Sequence, residues 1–405
     1  MLTPPSAGAG ASVASLPDPT ALFVSYSSVL GGAERILLDV ATGLRSPPRA
    51  GPATGGPAFP EPGGGEAIVA CPPGPLADAA RARGVRAIGV RRRPLELRAG
   101  GRDRLATPLR LAGLGAEVRR AVRATRPDVV VAWNMRGLLA CSAGLTGRRR
   151  RLPLVFQHNE LLPGPFIGRA VRAAARRADR VVCLSRTIAT DLDPRGRIRR
   201  LEVVPAGVDL DRFTPPAGGL HAVGREVLVL GAMVPWKRPE LALDIFARAA
   251  TELPDLRLRF AGEPIGAGGA ELLEQLRRRA AEDGLDARVD IAGRLEDPVA
   301  ALRRAACLLH CADREPYGLA LVEALACGVP VVAPASGGPV EIVSERAGRL
   351  YPPGDVAAAA VAIREVLDPA HQAEYRAAAR ARAERLFDLE DARRRYRTLL
   401  VELAS

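Results

Sequence analysis

The chain has 405 residues, 48% of them hydrophobic and 25% charged, with a formal net charge of +13. That balance suits a globular protein of two or three domains, and no run of about 18 apolar residues offers a membrane-spanning helix. The positive charge invites a nucleic-acid partner, but aromatics are only 4% and the arginines are spread over most helices. A GC-rich genome produces that spread unaided, so nucleic acid is set aside in favour of acidic small molecules or an anionic membrane surface.

The first 19 residues lack the charged start and apolar middle of a signal peptide, and they read as a disordered leader on a cytoplasmic protein. From there β-branched runs alternate with amphipathic helical patterns. The strand candidates of the first half are "ALFVS" (21–25), "AIVAC" (67–71), "DVVVAW" (128–133), "LVFQH" (154–158) and "RVVCLS" (180–185). A stretch at 46–65 is too dense in Gly and Pro to fold and reads as a surface insertion. The second half offers "EVLVLG" (226–231), "LRLRFAG" (256–262), "RVDIAG" (288–293), "ACLLHC" (306–311) and "VPVVAP" (329–334), then two helices at about 369–387 and 389–403. Strand–helix alternation specifies parallel sheets covered on both faces. The expected fold is therefore α/β, with two doubly wound domains of five strands each. They span 20–205 and 226–387, with a Pro/Gly-rich linker at 206–225 and a closing helix at 388–405.

The six cysteines show no disulfide framework suited to this size. Cys307, His310 and Cys311 are close enough that a metal site must be weighed. However, "RRAACLLHCAD" reads as a buried strand, with both cysteines on one face and His310 on the other. They are taken as small buried hydrophobes, and no metal is expected.

Lys237 is the only lysine among the 58 Lys and Arg residues. A compact, mobile ammonium does there what a planar guanidinium cannot. The densest chemical signal is "CADREPYGLALVEALACGVPVVAPASGGPVEIV" (311–343). A strand ending near Cys311 is followed by a turn, a helix from about 318, and Gly328 as its left-handed cap. Glu315 then sits at the carboxyl end of a parallel strand, where open α/β sheets place ligands. The amides of Tyr317, Gly318 and Leu319 would open the helix towards an anion. Glu323 lies further along the same helix. Amides that hold phosphate, flanked by carboxylates that accept from hydroxyls, suit a sugar nucleotide.

This stretch resembles the E-x7-E region of family 4 glycosyltransferases, retaining enzymes of the GT-B fold. "VLGGAERILLDVATGL" (29–44), "ADRVVCLSRTIATDL" (178–192), "VVPAGVDLDRF" (203–213) and "VLGAMVPWKRPELALDIFARA" (229–249) resemble other family segments in the same order. The resemblance implies two Rossmann-like domains facing across a cleft, with a nucleotide sugar, UDP- or GDP-linked, on the second. It implies a hydroxyl acceptor on the first: polysaccharide, lipid-linked or small-molecule. By this resemblance Glu315 contacts donor-sugar hydroxyls, Glu323 the ribose, and Lys237 the diphosphate. Arg294 and Leu295 match the loop that contacts the base. Gly31 and Gly32 match a loop near the donor phosphates, where the missing Cβ lets backbone approach a ligand; a plain turn is the other reading. His158 matches a residue that contacts the donor sugar, and it can also be read as a structural histidine. It is grouped with Glu315 and Lys237 as catalytic, and Asn159 and Glu160 are assigned to the acceptor side.

One position departs from the family. An arginine usual after the strand glycine is Ala232 here, so either Arg238 substitutes for it or the site runs on Lys237 and backbone amides. "DLD" at 191–193 and 209–211 fits a metal-dependent transferase badly, and no cofactor or catalytic divalent ion is expected. Arg169, Arg172 and Arg176 share a helical face after Phe166 and Ile167, and "GRRRR" (147–151) lies nearby in sequence. That face suits peripheral contact with an anionic membrane, or equally a solvated surface. A sugar-nucleotide epimerase, a phosphorolytic enzyme and a non-catalytic binding protein are the alternative functions on this architecture.

Overall fold

The computed structural model describes residues 17–44, 65–91, 101–146, 151–216, 225–266 and 268–405, without the side chains of 101–109. Most of the leader, nearly all of the 46–65 insertion, the arginine run at 147–150 and part of the linker (217–224) lie outside the described residues. The chain divides into two units. One runs to Ala206 and resumes at Leu389–Ser405, and the other is Gly207–Asp388.

In chain order the first unit contains β1 (Ala21–Val24), α1 (Gly32–Gly43), β2 (Ala67–Cys71), α2 (Pro75–Ala82), β3 (Arg86–Gly89) and α3 (Gly101–Thr125). Then come β4 (Val129–Trp133), α4 (Asn134–Leu145), β5 (Leu154–His158), α5 (Pro165–Ala175), β6 (Arg180–Cys183), α6 (Arg186–Leu192) and β7 (Leu201–Val203). The strands form a parallel sheet in the order β3-β2-β1-β4-β5-β6-β7. β1, β2, β4 and β5 are buried along their whole length. Helices cover both faces of such a sheet, which is why these strands read as unbroken apolar runs.

The second unit contains β8 (Glu226–Leu230), α7 (Pro239–Ala250), β9 (Arg257–Ala261), α8 (Gly269–Glu282), β10 (Val289–Gly293), α9 (Pro298–Arg304) and β11 (Cys307–Leu309). It continues with α10 (Leu319–Ala326), β12 (Val331–Pro334), α11 (Pro339–Ile342), β13 (Gly348–Tyr351), α12 (Val356–Val366) and α13 (Gln372–Leu386). Its parallel sheet runs β10-β9-β8-β11-β12-β13. Chain direction across each sheet reverses beside the first strand, between β1 and β4 and between β8 and β11. Such reversals leave a crevice at the carboxyl ends of the strands.

Three strands lie beyond the five expected in each half: β3, β7 and β13. β3 and β7 are edge strands of mixed polarity with exposed residues, and β13 is the edge strand "GRLY". Strands on a sheet edge need no continuous apolar run and so leave a weak sequence signal. The linker reading also changes. Val208 pairs with Asp388 and donates to the Phe387 carbonyl at 2.8 Å, and the Arg380 guanidinium donates to the carbonyls of Leu210 and Phe213. Residues 207–213 are thereby bound into the second unit.

The closing helix, α14 (Leu389–Ala404), belongs to the first unit and packs on α1. Among the described residues no helix is long and apolar enough to cross a membrane. On α5 the expected three-arginine face is reduced to two members. Arg172 turns inward and donates from Nε to the Leu192 carbonyl and from Nη2 to the Asp191 carbonyl, each at 2.8 Å.

Candidate active site

In the second unit, Lys237 ends a short 3-10 turn (Pro235–Lys237) that follows β8, and Glu315 stands in the loop after β11. The two strands flank the reversal point, so side chains distant in sequence meet there. Lys237 Nζ forms an ion pair with Glu315 Oε2. His310 Nε2 lies 3.3 Å from the same oxygen. Glu315 is only 6% exposed. Burial alone would raise its pKa, but the Lys237 charge, and after it His310, hold the carboxyl down at about 2. Lys237 is the more accessible partner, and its ammonium sits 4.4 Å over the exposed Trp236 ring.

His310 was expected to face away from Cys307 and Cys311, and that alternation is what delivers it to the site. Cys307, Leu309 and Cys311 enter the core beside α7 and α12, while the imidazole turns to Glu315. Burial chiefly lowers the His310 pKa, the adjacent Glu315 carboxylate opposes this, and the Lys237 charge adds to the lowering. All six cysteines are free and buried. Among the described residues no group of three or more His, Cys, Asp or Glu is arranged to hold a metal ion.

Helix α10 begins at Leu319, one residue later than the sequence suggests, because Gly318 is its N-cap with φ +108°. Tyr317 therefore precedes the helix, and its side chain is buried. The open amides at this end come from Gly318, Leu319 and the residue after them, since the first helical bonds are those of Leu321 and Val322 to the Gly318 carbonyl. Gly328 caps the far end at φ +70°. Glu323 lies one turn along α10 and is buried. The loop carrying Glu315 is clamped by "SGG" after β12. Gly338 donates to the Glu315 carbonyl at 2.8 Å, and Ser336 Oγ to that of Asp313 at 2.5 Å.

Arg238 sits at φ +52°, and its Nη1 donates to Asp313 Oδ2 at 2.6 Å. Its guanidinium is thus engaged by a carboxylate. Arg294 is exposed, donates to Glu263 at 3.2 Å, and follows β10, two strands from β8; Leu295 beside it is half-buried. The structure pairs Lys237 with Glu315 and Arg294 with Glu263.

In the first unit a cavity of about 580 Å³ opens beyond the carboxyl ends of β1 and β4. Ser25, Tyr26, Glu34, Trp133, Asn134 and Glu160 are among its lining residues. Gly31 is the N-cap of α1, and its amide donates to Glu34 Oε2 at 3.1 Å. Gly32 opens the helix. Asn159 donates to Asn134 Oδ1 at 2.8 Å and accepts from Gln157 at 2.7 Å, making a chain of amides beside the cavity. Asn134 takes φ +63°, a conformation that asparagine tolerates better than most residues. His158 ends β5 but is fully buried, and neither ring nitrogen has a hydrogen-bond partner among the described residues. Burial holds its pKa at about 3, so the ring is neutral near pH 7.

In the "DLD" segments Asp191 accepts from the Leu162 amide, Asp193 from Ile198, and Asp209 from Asp211 and Arg212. The sequence reading missed His310, Asp313, the Gly337–Gly338 clamp and Asn134. The available signals were the adjacent glycines and an asparagine directly after a buried strand.

Residues 218–385 match the family model described as glycosyl transferases group 1, and residues 62–212 match that of glycosyltransferase family 4. The D-inositol 3-phosphate glycosyltransferase of Mycolicibacterium smegmatis is 39% identical over 190 residues, covering 44% of this chain and 43% of that protein. The enzyme of the same name from Mycobacteroides abscessus is 31% identical over 282 residues, 62% of each chain. The chain thus spans less than two thirds of the length of these curated relatives. Among solved structures, Anabaena HepE in complex with UDP-glucose superposes with a TM-score of 0.76 at 22% identity, over 93% of this chain and 98% of that one. Sucrose-phosphate synthase from Thermosynechococcus elongatus gives 0.71 at 19%, over 93% and 96%.

Proposed function

We propose, for a chain that belongs to glycosyltransferase family 4 and has the GT-B fold, that it moves a sugar from a nucleoside-diphosphate sugar to a hydroxyl acceptor with retention at the anomeric carbon. The observation that carries this reading is the meeting of Lys237 and Glu315 at the reversal point of the second sheet, next to the open amides of α10.

The second unit holds the donor. Amides at the start of α10 and the Lys237 ammonium take the diphosphate, and Glu315 and Glu323 accept hydrogen bonds from sugar and ribose hydroxyls. UDP and GDP are the nucleotides put forward, with Arg294 and Leu295 beside the base. The first unit holds the acceptor in the cavity lined by Asn134 and Glu160, with Asn159 positioning Asn134. A polysaccharide, a lipid-linked glycan or a small molecule are the acceptor classes put forward.

In the reaction the bond from the anomeric carbon to the diphosphate oxygen breaks. The acceptor oxygen bonds to that carbon on the face the diphosphate leaves, and its proton passes to a leaving phosphate oxygen. Lys237 stabilises the charge that develops on the leaving group. No side chain is assigned as a covalent nucleophile and no cofactor enters. His158, fully buried and neutral, packs against the Phe156 ring and is given no proton transfer and no hydrogen bond to the sugar.

Peripheral contact with an anionic membrane belongs to this reading through α5, where Phe166 is 75% exposed and Arg169 and Arg176 face solvent. Vesicles containing phosphatidylglycerol should sediment the protein, and neutral vesicles should not.

A panel of nucleotide sugars tests the donor site. The matching donor at a hundredfold excess over its dissociation constant should stabilise the fold by roughly 2.7 kcal/mol. Lys237→Ala and Glu323→Ala should abolish that protection, and protection that survives both changes refutes the assignment.

A further inference from the structure

Glu315 Oε2 has two nitrogen neighbours of different character. Lys237 reaches it from a 3-10 turn on a partly exposed four-carbon stem. His310 reaches it from behind on a backbone fixed at both sides. Its amide donates to the Val332 carbonyl at 2.8 Å, and its own carbonyl accepts from the Tyr351 hydroxyl at 2.8 Å. One neighbour can leave, and the other cannot.

We propose that His310 is a positioning residue of the donor site: when a diphosphate draws the Lys237 ammonium away, the His310 imidazole takes a proton from solvent and becomes the counter-ion of Glu315. This rests on the reading of Lys237 as the diphosphate ligand. A buried carboxylate stripped of its cation is costly, and His310 is the other basic group against this oxygen. The remaining charged groups close by do not serve. Arg238 is held by Asp313 at 2.6 Å, and burial pushes the Cys311 thiol up to about 12, so it stays neutral. The direction of coupling agrees. The Lys237 charge lowers the His310 pKa and the Glu315 carboxylate 3.3 Å from its Nε2 raises it, so losing the ammonium moves the imidazole towards protonation. Glu315 thereby keeps its place as an acceptor for sugar hydroxyls while Lys237 serves the phosphates.

Two measurements test this. The chain has four histidines, few enough to resolve by NMR of histidine-labelled protein, with His310→Gln assigning the His310 signal. In Lys237→Met without nucleotide, the His310 titration midpoint should rise by at least one pH unit over the parent protein. An unchanged midpoint overturns the proposal. The second measurement is UDP binding by calorimetry in buffers of different ionisation enthalpy at pH 7. The parent should take up protons, and His310→Gln, whose amide donates but cannot titrate, should bind within about tenfold of the parent and take up fewer. Titration of UDP itself is common to both proteins and cancels in the comparison. Equal uptake in the two proteins also overturns the proposal. A raised midpoint in Lys237→Met combined with UDP affinity equal to the parent's refutes the diphosphate reading of Lys237, while the exchange between Lys237 and His310, read without nucleotide, stands.

Discussion

A single lysine among arginines acquires its meaning from what it touches. Lys237 is paired with Glu315 and must be able to release it, which suits an ammonium on a flexible stem. Lys237→Arg preserves the charge but substitutes a planar fork that pairs bidentately with carboxylates. Turnover in that variant should fall towards the level of Lys237→Ala, which on the scale of removing one stabiliser of developing charge is about 10²–10³-fold below the parent. Steady-state rates with a saturating donor measure this, and a fully active Lys237→Arg refutes it. The buried titratable groups make a second prediction. His158 titrates at about 3 when folded against an ordinary 6.5, and Glu315 at about 2 against 4.5. In both windows the unfolded chain binds more protons, so stability rises with pH from 3 to 6.5 through His158 and from 2 to 4.5 through Glu315. His158→Leu should flatten the loss of stability between pH 6.5 and 4.5 in urea unfolding, whereas Glu315→Gln should act on the loss between pH 4.5 and 2.

At the scale of elements, the site depends on one loop pressed against another. A Cβ on Gly338 would stand 2.1 Å from the Tyr317 carbonyl oxygen, and one on Gly337, which has φ +65°, 2.4 Å from that of Glu315. The obstruction in each case is backbone and cannot swing aside. Gly338→Ala should therefore shift the 315–318 loop and remove nucleotide protection, while far-ultraviolet circular dichroism keeps its parent shape. Retained protection contradicts the clamp. The central strands were legible in sequence because a parallel strand buried on both faces must be apolar throughout, as "ALFV" and "VVVAW" are. Edge strands such as "LEV" were not, since half of their surface answers to solvent. Lys237, Glu315 and the cap at Gly328 could be read because strand, turn and helix signals bracket them. His310 could be placed on a face, but its contact with Glu315 depends on the path of a loop that local pattern does not encode. The same holds for Arg172, whose helical phase matches Arg169 and Arg176 while its guanidinium is taken by carbonyls at the end of α6.

For the whole molecule the chain path matters more than any one contact. The polypeptide leaves the first unit at Ala206, completes the second in one continuous stretch, and returns at Leu389. The second unit is therefore continuous in sequence, and the first is completed only by α14. That helix buries Tyr396, Leu399, Leu400 and Val401 in the first unit. Its Arg393 donates to the Asp39 carbonyl at 2.8 Å, and Arg397 pairs with Asp18. Four such side chains at about 1.5–3 kcal/mol each amount to about 6–12 kcal/mol. The total stability of a domain is only about 5–15 kcal/mol, so the first unit has little to spare without α14. A chain ending at Asp388 should keep the second unit folded and still protected by UDP, while the first unit loses its cooperative transition. Calorimetry would then show one transition, shifted upward by nucleotide. Adding the 389–405 peptide in trans should restore the other in proportion to its concentration. If the truncated protein keeps a full first-unit transition, α14 is an accessory, and the burial of Leu400 and its neighbours contributes far less than their area implies.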